Sequence, residues 1–359
     1  MPKTGIATLP LHHGKAPKWL FERMVSLARE IAFAIISEFG QEEFLKRLSD
    51  PFWFQALGCV LGFDWHSSGL TTTTTGALKE ALKGMERETG LFIAGGKGLT
   101  SRKTPDQILS HASKYGINPE PLIYASRITA KVDNSALQDG YHLYAHVFFF
   151  TYKGEWAVIQ QGMNQSERTA RRYHWLSSEI KSFVEEPHSA ICSEKKEKRV
   201  LNMVSRESKE AREISTMLAR QSPEKTISEF NRLRELNLSK RHEITVNDID
   251  PQKLYRVLLK TYERMPEDFE ALLGIQGVGP KTIRALSLVA ELIYGKAPSF
   301  KDPARFGFAH GGKDGTPYPV DRIIYDRTIE VMKRAIESSR LGNHEKIQAI
   351  RRLAGYFGI

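Results

Sequence analysis

The sequence predicts an α+β protein, with a mixed N-terminal and central region built around a β-hairpin and an all-helical region after it. Three observations carry this. Residues 141–162, "YHLYAHVFFFTYKGEWAVIQQG", alternate apolar and polar or aromatic positions and break at Lys153-Gly154, as two strands joined by a tight turn do. Residues 17–48 space their apolar side chains at helical intervals. From about Glu194 onward, charged helical segments dominate to the C-terminus. A boundary near residue 195 follows, dividing the chain into units 1–195 and 196–359.

In chain order, Gly40 divides the first periodic run into two helices, and Ser49 or Asp50 before Pro51 caps a short third one. The five threonines at 71–75 read as β-prone residues in a strand or a hydroxyl-lined turn, with Gly76 at the entrance to the next helix. "IAGGKGLTSRK" reads as a glycine-rich basic loop, and Thr104-Pro105 starts a helix behind it. That loop lacks the spacing of a nucleotide-binding loop ending in Gly-Lys-Ser/Thr, which argues against a nucleoside triphosphatase.

The chain of 359 residues holds 52 basic against 42 acidic side chains, a formal net charge of +10 that favours a polyanionic partner. No stretch has the apolar length of a membrane span, and the N-terminus lacks the pattern of a secretory signal, so a cytoplasmic location is expected. Cys59 and Cys192 stand too far apart, without a second pair, to form a disulfide framework or a zinc ribbon.

The stretch "GIQGVGPKT" at 274–282 places two glycines around Val278, then a proline and a lysine, before the helical run "TIRALSLVAELIYG". Upstream, Pro266 suits a first helical position, Glu267 and Asp268 supply acids to the first turn, and Phe269, Leu272 and Leu273 form an apolar face. Two short helices joined by a glycine turn are expected. Gly277 and Gly279 would allow positive φ and open backbone N–H groups to a phosphate, with Val278, Lys281, Thr282 and Arg284 completing the contact.

These residues resemble the helix-hairpin-helix DNA-binding motif, with Gln276 in place of its usual proline. The wider stretch "LYRVLLKTYERMPEDFEALLGIQGVGPKTIRAL" also resembles base-excision glycosylases of the endonuclease III superfamily. That resemblance implies a second possibility, a glycosylase or abasic-site lyase using Lys281 and the aspartate of "PYPVD", Asp321. Their separation is about twice that of the superfamily. Across nearly the whole chain, segments such as "LPLHHGKAPKWLFERM", "KVDNSALQDGYHLYAHVFFF" and "FAHGGKDGTPYPVDR" resemble the prokaryotic family catalogued as domain of unknown function 763.

A helix-hairpin-helix grips any sequence, so chemistry is sought in the first unit. His142, Tyr144, His146, Phe148 and Phe150 share one strand parity, which would set two imidazoles on one face. With Asp133, Asp139 and Glu155 they form the candidate catalytic set. Asp139, His142 and His146 are the expected ligands of a divalent metal, Mg or Mn, able to activate water for phosphodiester cleavage. Asp64 and His66 are a second candidate pair. Arg171 and Arg172 could meet phosphates while Tyr173 and Trp175 stack on exposed bases, favouring single-stranded or distorted DNA; an alternative is that the two aromatics simply anchor a core. The expected function is a DNA-processing enzyme, most concretely a structure-selective, metal-dependent nuclease in repair or recombination. A non-enzymatic DNA-binding adaptor is the third reading.

Overall fold

The computed structural model describes residues 16–63, 68–193, 196–234, 246–304, 322–339 and 342–357. Asp64, His66 and Asp321 lie outside the described residues.

Helix α1 (Lys18–Ser49) is bent where Gly40 adopts φ +85°, and it hands over directly to α2 (Pro51–Val60). Asp50 caps α2 by accepting from the Phe52 and Trp53 amides at 2.8 and 3.2 Å, and Pro51 at the first position needs no such partner. The threonine run is not a strand or turn. It lies inside α3 (Gly69–Leu82), with Gly76 mid-helix. Thr71, Thr74 and Thr75 form the buried stripe at i, i+3 and i+4, and Thr75 returns its hydroxyl to the Thr71 carbonyl at 2.8 Å. Burial of that face beside α1 outweighs a local preference for strand of a few tenths of a kcal/mol per residue, roughly.

After the short α4 (Glu86–Thr89) comes β1 (Leu91–Lys97), so Gly95 and Gly96 belong to a strand and not to a loop. Gly95 has φ +90°, and a Cβ there would sit 2.2 Å from the His146 carbonyl oxygen. The Gln107 amide oxygen and the Lys79 ammonium grip its N–H and C=O at 2.9 and 2.6 Å. Gly95→Ala is therefore expected to lower stability by more than the roughly 1–3 kcal/mol of ordinary overpacking, read from the urea midpoint. Gly98→Ala, with nothing within 4 Å of the added Cβ, is the control expected to cost less.

Helices α5 (Thr104–Tyr115) and α6 (Pro119–Lys131) follow, and α6 runs into a π-helical turn, Val132–Ala136. Strand β2 (Leu137–Gln138) leads to the hairpin of β3 (His142–Thr151) and β4 (Trp156–Asn164), which turns at 152–155 around Gly154 as expected. The basic-aromatic stretch after it forms β5 (Thr169–Leu176), followed by β6 (Ala190–Ser193) and β7 (Leu201–Asn202). The main sheet is antiparallel with order β1-β3-β4-β5-β6, while β2 and β7 pair separately.

Both faces of the main sheet are covered. On one, Val147, Phe149, Ile159 and Leu176 pack with α1–α3 and with the C-terminal helices α12 (Arg322–Ser338) and α13 (Asn343–Phe357). On the other, Phe148, Phe150, Val158 and Trp175 pack with α5 and α6. The same core takes in α7 (Lys209–Arg220), α8 (Pro223–Arg234), α9 (Pro251–Arg264), α10 (Phe269–Gly274) and α11 (Pro280–Leu292). This core draws on residues from both sides of position 195. The helices after 195 also divide between the two faces. None of the helices among the described residues is long and apolar enough to cross a membrane.

Candidate nucleic-acid interface and the polar core beneath it

Asp268 caps α10 by accepting from the Ala271 amide at 2.7 Å. Beyond Gly274 the Val278 amide donates to the Ile275 carbonyl at 3.2 Å, closing a four-residue turn with Gly277 third and at φ +101°. That is the position where a type II turn requires glycine. Gly279 is different from expectation: its φ of −141° and ψ of −172° are extended, so any residue could adopt them. Its missing side chain leaves space and does not supply a special conformation. Gly279 is the N-cap of α11 and has no side chain to offer, so the first amides of α11 gain no side-chain cap.

The turn is seated on the central region. The Lys131 ammonium donates to the Val278 carbonyl, and Gln138 donates to the Pro280 carbonyl at 2.8 Å. Burial holds the Lys131 ammonium below its ordinary pKa. Lys281 is exposed and donates to the Asp248 carbonyl at 2.8 Å. Val278 is fully buried as the anchor of the turn, and Thr282 and Arg284 are 5% and 4% exposed. Burial removes the side chains of those last two from the expected phosphate contacts and leaves the Thr282 amide in the uncapped first turn of α11. Gly277 and Lys281 remain exposed, with Gly279 partly so.

Two residues beyond Lys131, the π-turn delivers Asp133 into the interior. Its carboxylate accepts from Gln160 at 2.6 Å, from the Trp175 indole at 2.9 Å and from His188 Nε2 at 2.5 Å. Gln160 passes the network on to His146 Nδ1 at 2.8 Å, whose Nε2 meets the Ser126 hydroxyl at 2.9 Å. Beside it, Asp139 accepts from Arg171 at 2.9 Å and from the Tyr173 hydroxyl at 2.8 Å, and Arg171 reaches Asp302 with two bonds of 3.0 and 2.7 Å. Burial pushes the Asp139 carboxyl up in pKa against the opposing pull of Arg171. On the other face, Arg172 donates to His174 Nε2 at 2.8 Å and to Gln55 at 3.0 Å, and lies over the Phe54 ring.

This geometry corrects several expectations. Arg171, Arg172, Tyr173 and Trp175 are all 0% exposed, because β5 is an inner strand with helices on both faces; they cannot meet DNA in this conformation. His142 and His146 do not share a face. The register slips at Tyr144, so His142 stands opposite Met163 and His146 opposite Gln160, and the alternation is reversed between them. His142 is exposed, His146 is buried on Ser126 and Gln160, and Asp139 is committed to Arg171 and Tyr173. Among the described residues no three acidic, histidine or cysteine side chains gather as metal ligands, and the expected Asp139, His142, His146 set does not fit Mg or Mn. Glu155 lies at the hairpin turn, five residues along β4 from Gln160 and beside Glu42, away from this network; burial raises its pKa. Asp133 and His146 are brought together, through Gln160. His188 and Asp302 carry no signal in the sequence, since each sits among other polar residues in a loop without periodicity.

Burial lowers the pKa of His146 from the ordinary 6.5, and burial together with Arg172 lowers that of His174 well below it. The unfolded chain therefore takes up these protons first as pH falls. Stability is complete above the unfolded value and is lost as pH drops toward the folded ones. The urea midpoint is expected to fall between about pH 7.5 and 5.5, and the slope should shrink in His174→Gln.

The fold and these sites define an α+β protein whose five-stranded antiparallel sheet, closed between two helical layers, carries buried polar networks beneath an exposed glycine turn. A model of the family described as protein of unknown function (DUF763) matches residues 5–320, and the chain belongs to that family. No curated protein and no solved structure matches it.

Proposed function

We propose that this chain is a DNA-binding, DNA-processing protein in which α10, the glycine turn and α11 act as a helix-hairpin-helix on the sugar-phosphate backbone. The observation that carries the reading is the turn itself. Gly277 holds φ +101°, the N-terminus of α11 has no side-chain cap, and Lys281 is exposed on its first turn. Such an end presents amide hydrogens and the positive end of the helix dipole to an anion. The formal charge of +10 supports a polyanionic partner.

Processing, as opposed to binding alone, is supported by the imidazole-carboxylate pair of His188 and Asp133, two residues from the lysine that seats the turn. A nuclease dependent on Mg or Mn would have to draw its ligands from elsewhere than Asp139, His142 and His146. The test is incubation with labelled single-stranded, forked and abasic DNA, with and without divalent metal or borohydride. Products in any arm support an enzyme. Binding without products in every arm supports the adaptor, and absence of binding contradicts the proposal.

Lys281 acts here as a charge. Lys281→Arg is expected to keep DNA affinity within about threefold, whereas Lys281→Glu lowers it for every sequence alike and reduces the salt slope by about one. Loss of borohydride trapping in Lys281→Arg with binding intact would instead identify an amine nucleophile.

A further inference from the structure

We infer that the hollow beside β6 and β7 is a binding site for one uncharged six-membered ring bearing N–H donors, the chemical class of a pyrimidine base. Its volume is about 150 Å³, and a cavity of that size in a protein core admits a single benzene-sized ring. Ile191, Val204 and Pro303 supply apolar wall, and His188 and Asp302 supply polar wall. Glu186, Asn202, Ser205 and the Glu207–Lys301 pair complete a lining that is mostly polar, so the apolar wall can take a ring face while acceptors meet its edge.

His188 decides the polarity. Its side chain is 6% exposed, its ring lies 4.4 Å from that of Trp175, and its Nε2 is bound to Asp133. Asp133 also holds donors from Gln160 and Trp175, so it accepts from the imidazole and fixes the tautomer. While the ring is neutral, Nδ1 then carries a lone pair, an acceptor for a ligand N–H. Three described cations near the hollow are matched. Lys301 bonds Glu207 at 2.5 Å, Arg206 lies 3.3 Å from Glu186, and Arg171 joins Asp139 to Asp302. Among the described residues lining the hollow, an entering phosphate would meet carboxylates and a lysine already bound to Glu207, whereas an amino-bearing ring meets acceptors.

The hollow is mechanically linked to the glycine turn. Asn202 lines it from β7, β7 pairs with β2, and Gln138 of β2 holds the Pro280 carbonyl. That the ring arrives on a DNA strand rests on the proposed DNA binding; the pocket's chemistry does not.

The test uses the full chain, cytidine as probe, and the imidazole ¹⁵N resonances of His188. Cytidine is expected to shift the Nδ1 resonance saturably. Ser205→Phe, at the rim, and His188→Gln, which keeps one N–H for Asp133 and is read by titration calorimetry, should each weaken cytidine binding by at least about tenfold, the worth of one good hydrogen bond or a blocked entrance. Gly98→Ala, beyond the sheet edge opposite β6, should leave free cytidine binding unchanged. No saturable shift, an equal response in Ser205→Phe, or displacement of cytidine by inorganic phosphate would overturn the site. If cytidine binds but a single-stranded oligonucleotide fails to compete for the pocket, the site stands and the DNA reading falls.

Discussion

Arg171→Met is expected to be the most destabilising single change in the protein, lowering the unfolding free energy by about 3–5 kcal/mol, the cost of removing one partner from a buried ion pair. The reason is what it leaves behind. Arg171 is 0% exposed and stands between Asp139 and Asp302, at 2.9 and 2.7 Å, with the Tyr141 ring packed against its guanidinium. Methionine fills much of the same volume and abandons two carboxylates to each other in the interior. A carboxylate pair deprived of its cation relieves the repulsion by taking up a proton, so the loss should be greatest at neutral pH and smaller in acid. Urea unfolding at two pH values measures it. The double variant Asp139→Asn with Arg171→Met should recover part of the loss, since it also removes one of the stranded charges. A single variant as stable as the wild type would show that the triad is not structural.

Gly277→Val is expected to lower DNA affinity by at least about tenfold while leaving the fold intact. A β-branched residue at φ +101° is strained by roughly 1–3 kcal/mol, and the turn relieves this by moving the Gly277–Val278 backbone that presents the anion site. There is space for the side chain itself, since the nearest atom to an added Cβ is a Val257 methyl at 3.6 Å. Gly279→Ala makes a sharper comparison. Its extended φ accepts alanine and the nearest atom to the new Cβ is 3.9 Å away, so it should fold normally and lose affinity only by crowding the phosphate. Binding isotherms on two unrelated sequences, with the circular dichroism spectrum of each variant, separate grip from folding. Equal affinity in Gly277→Val and wild type would count against the turn.

What could be read beforehand was whatever the chain settles locally. Gly40 bends α1, Asp50 caps α2 before Pro51, and the hairpin turns around Gly154, because each depends on φ preferences and hydrogen bonds within a few residues. The glycine turn after Leu273 belongs to the same class. The threonine run became a helix because three of its members face a neighbouring helix, and β1 became a strand because β3 pairs with it, neither of which leaves a local trace. The interleaved Arg, Arg, Tyr and Trp of β5 have the composition of a nucleic-acid surface. Their burial depends on an aspartate 131 residues away from Arg171 and on helices over both faces of the strand. The two imidazoles of β3 were separated by one slipped residue at Tyr144, and a strict alternation cannot anticipate a bulge. The pairing of His188 with Asp133 spans 55 residues, with β3, β4 and β5 between them, so only the tertiary structure brings it to view.

The central claim is that main-chain amides at the turn take the phosphate. Amide ¹H–¹⁵N spectra recorded during titration with two oligonucleotides of unrelated sequence test it most directly. The account predicts that the largest shifts fall on Gly277, Gly279, Lys281 and Thr282, alike for both sequences and diminishing as salt is raised. Shifts confined to another surface, or shifts at the turn for one sequence and not the other, would contradict it.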